Sequence, residues 1–266
     1  MLRNSPFIIA IDDIAKGWEK RQLWLALAWD DIRLKYKRSV LGPMWITLGT
    51  GFFISILSVI WTELMAKKAS VFVPWFAVGI ITWQFISSIV TEGSATFFRV
   101  SSIIHNIAMP LSIHIFRSVT GHIINYLHNC AIIIVVLLIF PAHDLYTLAL
   151  IVPGMFILIA AATATSIIFG LLGARFRDFS HAVSMFMKPV FFMTPVIWMP
   201  DMLSGGRAAL AKLNPFAHYL AIIREPLIGK APTVENYIVT IALTLLLILV
   251  SLILLGKYKN KVPYWV

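Results

Sequence analysis

From residue 41 to the C-terminus the chain is a series of long apolar runs parted by short polar breaks. An uncharged run of about 20 residues is enough to cross a hydrocarbon layer of ~30 Å as an α-helix. The pattern predicts six spans, at residues 41–62, 70–91, 118–142, 145–174, 180–200 and 237–256. Pro43 fits the first turn of its helix, where the amide it lacks has no intrahelical partner. Only PAHD parts the third and fourth spans, which therefore form an antiparallel hairpin. The fifth carries Lys188-Pro189 and Pro195, so one straight helix is not expected there.

The polar stretches have patterns of their own. Within residues 1–38, Trp18, Leu25, Trp29 and Ile32 fall near one stripe at helical spacing, while Glu19, Lys20, Asp30 and Asp31 lie elsewhere. That predicts an amphipathic helix lying flat in the interface. Residues 92–110, EGSATFFRVSSIIHNIAMP, predict a short helix outside the bilayer between the second and third spans. Residues 199–236 hold two short amphipathic stretches, 206–213 and 216–227, parted by Asn214-Pro215. With the broken fifth span they predict a re-entrant structure, because non-helical backbone at membrane depth survives only where protein or water shelters it. The expected fold is an all-α membrane protein of one domain over 1–266. It divides into an interface segment at 1–38, a six-span bundle at 39–256 and a tail at 257–266.

Composition agrees with the bilayer as solvent: 59% of the 266 residues are hydrophobic and 13% charged. The net charge of +10 sits beside the apolar runs instead of forming a stripe, which argues against nucleic acid. Of the 22 Lys and Arg residues, 16 fall on one side: eight before the first span, Arg99, Arg117, Arg175, Arg177, Lys188 and three in the tail. Lys67, Lys68, Arg207, Lys212, Arg224 and Lys230 fall on the other. By the positive-inside rule both termini are expected in the cytoplasm. The N-terminus carries acids early and does not read as a removable signal peptide. The single cysteine, Cys130, allows no intramolecular disulfide and no cysteine-based metal site.

The usual signatures of chemistry are missing. The chain holds no H-E-x-x-H, G-x-S-x-G or G-x-x-x-x-G-K-[ST], so it is not expected to be an enzyme or to hydrolyse ATP through a phosphate loop. His122 and His128 stand six apart, off the three-or-four spacing of a helical metal pair, and no metal site is expected. Ionisable residues deep in the spans, the mark of a proton relay, are nearly absent. Driving energy is therefore expected from another polypeptide. A membrane transferase acting on a polyprenyl lipid would need paired carboxylates, for which Asp30 with Asp31 is the candidate.

YKRSVLGPMW at 36–45, ARFRDF at 174–179, TPVIWMP at 194–200, LNPF at 213–216 and VPYWV at 262–266 together resemble the permease subunit of ABC-2 type polysaccharide exporters. These export O antigen, capsule or teichoic acid chains on a lipid carrier. The resemblance spans nearly the whole chain in order. It implies a homodimer paired with two copies of a separate ATPase in the bacterial plasma (inner) membrane. ATP and Mg would be bound by that partner, with no cofactor in this chain. It implies that the 92–110 helix couples to the ATPase, with Phe97, Phe98, Arg99, Ile103, His105 and Asn106 as candidates. It also implies gate helices near 200–228 and a lateral opening flanked by the first and fifth spans.

Arg33, Lys35, Lys37 and Arg38 stand where the first span meets the cytoplasm and can meet a lipid-linked pyrophosphate with charge-assisted hydrogen bonds. The same four also suffice to set topology. Arg175 and Arg177 carry the same two readings, with Asp178 placed to tie one down. Trp45, Trp61, Trp83, Phe191, Phe192, Trp198 and Met199 are candidates to line or gate a glycan path, or else to form an interfacial belt or core packing. A permease for a drug or other small amphiphile is the nearest alternative.

Overall fold

The computed structural model describes residues 5–42, 44–64, 66–141, 144–202 and 208–266. The expectations for Pro43 and for the start of the 206–213 stretch lie outside them. The described residues form helices and turns without strands. The order is α1 (Pro6–Glu19), α2 (Arg21–Lys35), α3 (Met44–Leu64), α4 (Ala69–Gly93), α5 (Thr96–Arg99), α6 (Ser101–Asn106) and α7 (Ser112–Ile139). There follow α8 (Leu145–Ala149), α9 (Ile151–Arg175), α10 (Phe179–Met193), α11 (Ala208–Leu213), α12 (Pro215–Leu227) and α13 (Val234–Tyr258). A single 3₁₀ turn stands at Pro200–Met202 and a two-turn 3₁₀ segment at Lys259–Tyr264.

Among the described residues, five helical stretches are long and apolar enough to cross a membrane: Met44–Leu64, Ala69–Gly93, Ser112–Ile139, Tyr146–Arg175 and Val234–Tyr264. Five of the six expected spans are thus found as long helices, and the fifth in chain order is not among them. There α10 has 15 residues, about 22 Å at 1.5 Å per residue, short of a ~30 Å core. It stops because Pro195 disfavours helical backbone at the residue before it, and Thr194 turns to φ −93°, ψ 137°.

Helix α4 is apolar on nearly every side and forms the centre, with α7, α9, α3, α10 and α12 packed around it. Its neighbour α3 is the most exposed of the spans and shows Trp45, Phe52, Val59 and Leu64 outward. The elements at residues 6–35, 96–106, 175–179 and 259–264 gather at one end of the bundle, the terminal face. At the opposite face Lys67, before α4, pairs with Asp201 at 2.7 Å, and α12 packs on α8.

The predicted stripe of the N-terminal segment divides. Lys20 breaks the segment into α1 and α2 and resets the helical phase. The buried face of α2 is Trp24, Ala28 and Ile32, each four residues on, packed against α7. Trp18, Leu25 and Trp29 stay exposed. Trp18, Trp24 and Phe116 cluster with ring centroids 5.5–6.0 Å apart, and the Trp24 indole donates to the Gly17 carbonyl at 3.2 Å.

Small residues let helices approach closely. At Gly256 of α13 a Cβ would collide with the Pro6 backbone of α1. Gly256→Val is expected to push α1 off α13 at a cost of about 1–3 kcal/mol. A lower Tm in detergent with faster proteolysis of residues 6–35 would show it, and an unchanged Tm would refute the contact's importance.

Candidate functional site

Backbone that leaves a helix inside the bundle must find new partners for its carbonyls. Residues 192–199, after α10 bends, have them. The Trp198 indole donates to the Phe192 carbonyl at 2.9 Å. The Asn214 amide donates to the Met193 carbonyl at 3.2 Å and to the Thr194 hydroxyl at 2.9 Å. The Asn214 carbonyl oxygen also caps α12 by accepting from the Phe216 amide at 2.9 Å. Arg224 of α12 donates through Nη1 to the Pro195 carbonyl at 2.6 Å.

Arg224 is 2% exposed. Its guanidinium lies over the Trp75 ring, 3.3 Å from the centroid. A Cβ at Gly79 would stand 3.3 Å from both Arg224 Nη1 and the Val196 carbonyl, so this glycine lets α4 approach the bend. Arg224 is thus held by a carbonyl and an indole face, a cation–π arrangement strengthened by dehydration. Sequence reading had placed Arg224 only as an outer-side charge.

At the terminal face a cavity of about 370 Å³ opens between α2, α4, α5 and α7. Two ion pairs cross it: Arg99–Glu92 at 2.8 Å, and Arg117 on Asp31 through Nε at 2.6 Å and Nη2 at 2.5 Å. Lys35 and His122 also line it. Beside it, Asp13 of α1 is 2% exposed. It accepts from the Leu111 and Ser112 amides at 3.3 and 3.0 Å and pairs with Lys259 at 3.1 Å. A carboxylate from α1 thereby caps α7 and favours its positive N-terminal dipole end.

The four cations at 33–38 do not share one site. Arg33 and Lys37, one helical turn apart, line a groove with Asp30 and Leu34, whereas Lys35 faces the polar cavity. Arg38 follows in left-handed backbone at φ 73°. Burial pushes the Tyr36 phenol up from its ordinary range, and the Lys35 ammonium stands 5.9 Å from its ring. Asp30 and Asp31 part in the same way, Asp31 being engaged by Arg117.

Of the coupling candidates, Phe97 is fully buried against Gly170 of α9, Phe98 is exposed, and Ile103 is half-buried. His105 and Asn106 are exposed and fold back onto the carbonyls of Ser101 and Ser102 at 2.8 and 2.7 Å. Arg175 lies 5.5 Å from the Trp265 ring of the tail. Arg177 and Asp178 are exposed, and among the described residues Asp178 forms no ion pair with either arginine.

The aromatic candidates fall into two groups. Trp83 is buried with Phe191 and Phe216 both 5.7 Å away, and Phe191 meets Phe192 at 5.2 Å. Trp198 joins this group through Phe192, and Met199 is buried. Trp45 is exposed and Trp61 half-buried on α3. Phe216 and Asn214 entered the sequence reading only within the LNPF motif and the helix break around it and not as site residues, and Asp13 and His114 did not enter it. Asn214 had one visible signal, since Asn before Pro is a helix-start signature.

The family model described as ABC-2 type transporter matches residues 22–228. A protein of Klebsiella pneumoniae named "O-antigen export system permease protein RfbA" is 24% identical over 235 residues, covering 87% of this chain and 90% of the relative. A Myxococcus xanthus protein of the same name is 21% identical over 237 residues, again covering 87% and 90%. With its spanning helices, the chain is a multi-pass membrane protein.

Proposed function

Since this chain belongs to the ABC-2 type transporter family, we propose that it is the membrane subunit of an ATP-driven exporter of lipid-linked polysaccharide. The observation that carries the reading is near end-to-end similarity to two proteins named as O-antigen export permeases. The missing phosphate loop fits a subunit that draws on a separate ATPase. In this reading two copies pair with two ATPase chains in the inner membrane. The terminal face, with most of the Lys and Arg, lies in the cytoplasm.

Residues 96–106 then form the docking segment for the ATPase, tied to the bundle through buried Phe97. The fifth crossing is made by α10 and its bent continuation, with α11 and α12 as re-entrant helices at the outer mouth. The cluster of Trp83, Phe191, Phe192 and Phe216 offers ring faces at the bend. Such faces suit a sliding sugar, because they hold it without a deep well.

Reconstitution in vesicles with a cognate ATPase and a polyprenyl-diphosphate glycan tests this. Glycan is expected to cross only with ATP and the intact ATPase, and to stop when the ATPase cannot hydrolyse. Transport by the purified chain alone would sink the reading.

A further inference from the structure

The polar cavity at the terminal face contains donors that no described protein atom uses. Asp31 grips Arg117 through Nε and Nη2, and Nη1 is left buried without an acceptor. One turn earlier on α7, His114 is 1% exposed and neither ring nitrogen has a partner. Both residues line the cavity. A buried donor is costly to leave unpaired, and ionisable groups on a spanning helix mark polar ligands or pathways. Simple packing would not place two such groups on one helix face.

The face extends further. His114, Arg117, Gly121 and Asn125 follow at three-to-four spacing, with His122 next to Gly121, so α7 turns one polar stripe into the cavity. Each lining carboxylate already accepts from an arginine, Asp31 from Arg117 and Glu92 from Arg99. Lys35 adds a third cation, so the lining carries more positive than negative charge.

We infer that this cavity is a binding site for a phosphate or diphosphate group. Arg117 Nη1 is its inner donor, His114 a second donor beside it, and Lys35 and Arg99 the cations at its mouth. Arginine held by a carboxylate is pre-aimed, so little rotamer freedom is lost when the anion arrives. The inference deepens the exporter reading and rests on it for the source of the anion, a lipid-linked headgroup. It places that headgroup behind α2, between α4 and α7, instead of on the exposed groove of Arg33 and Lys37.

The test uses the full chain in nanodiscs, titrated with inorganic pyrophosphate and followed by ³¹P NMR. The double variant Asp31→Asn/Arg117→Gln keeps hydrogen-bonding side chains at both positions and is expected to weaken binding at least about 10-fold, the equivalent of 1.4 kcal/mol. Lys35→Gln, an exposed change that spares the fold, is expected to weaken it about 3-fold, a typical size for one charge at a partly hydrated site. Lys230→Gln, on the opposite face, is the control and should change nothing. Unchanged binding in the double variant and in Lys35→Gln overturns the site. A larger loss from Arg33→Gln/Lys37→Gln than from the double variant also overturns it.

A second arm adds polyprenyl diphosphate to the discs. Displacement of pyrophosphate supports the lipid source, and failure to displace it overturns that source in favour of a free aqueous anion. No ATPase enters either arm. Loss of the site therefore leaves the exporter reading standing, and a failed export assay leaves the binding result standing.

Discussion

Arg224→Ala is expected to abolish export while the chain still inserts. The substitution removes the only described donor to the Pro195 carbonyl and the cation on Trp75. An unpaired buried carbonyl costs about 1–3 kcal/mol, and a desolvated cation–π contact about 2 kcal/mol more. The combined loss of about 3–5 kcal/mol falls on residues 195–199, which lie beyond the last α10 hydrogen bond, from the Thr194 amide to the Val190 carbonyl.

Arg224→Met separates two effects. It fills the volume and removes a costly buried charge, so stability is expected to fall less than with Ala. The Pro195 carbonyl is still unpaired, so export is expected to fall as far. Arg224→Lys retains the charge but not the planar stack on Trp75, and should keep a small fraction of export. Export by Arg224→Ala within twofold of the parent, at equal expression, would show that the bend needs no such pin.

Asp13→Ala carries the other large expectation. It strands the Lys259 ammonium and uncaps α7 at Leu111 and Ser112, all inside the terminal face. Removing one partner of a buried pair costs about 3–5 kcal/mol. Proteolysis should then release the N-terminal helices and the tail together, since both lose the same anchor. Asp13→Asn can still accept an amide and should cost only about 1–2 kcal/mol. Asp13→Ala combined with Lys259→Met should cost less than the sum of the two, because they share one interaction. Strict additivity in thermal melts would rule out the shared anchor.

Much of the fold was legible because the bilayer demands that a crossing segment satisfy its own backbone hydrogen bonds. Apolar length therefore encodes α3, α4, α7, α9 and α13 directly, and Pro195 announced that the fifth segment would not be a plain span, whereas α10 continues through Pro189 without ending there. Local signals also located α11 and α12 on either side of Asn214-Pro215. The stripe on the N-terminal segment failed for a local reason, since the break at Lys20 shifted the phase that a single continuous helix would have kept.

The candidate sites were less legible. Arg33, Lys35, Lys37 and Arg38 look like one cluster in the chain, yet helical rotation turns Lys35 away from Arg33 and Lys37. Arg117 counts in the sequence only as one of the cytoplasmic-side cations, and its acceptor lies 86 residues earlier.

By itself, then, the sequence determined that the chain lives in a membrane, where most of its crossings lie, and that no phosphate loop is present to power them. Those properties depend on composition and short-range periodicity, which each segment carries alone. Only the tertiary structure decided that Asp13 caps a helix 99 residues away, that Arg224 holds a bend 29 residues earlier, and that a polar stripe on α7 faces a cavity. Such pairings depend on how the helices pack, and burial makes each one costly to leave unmade.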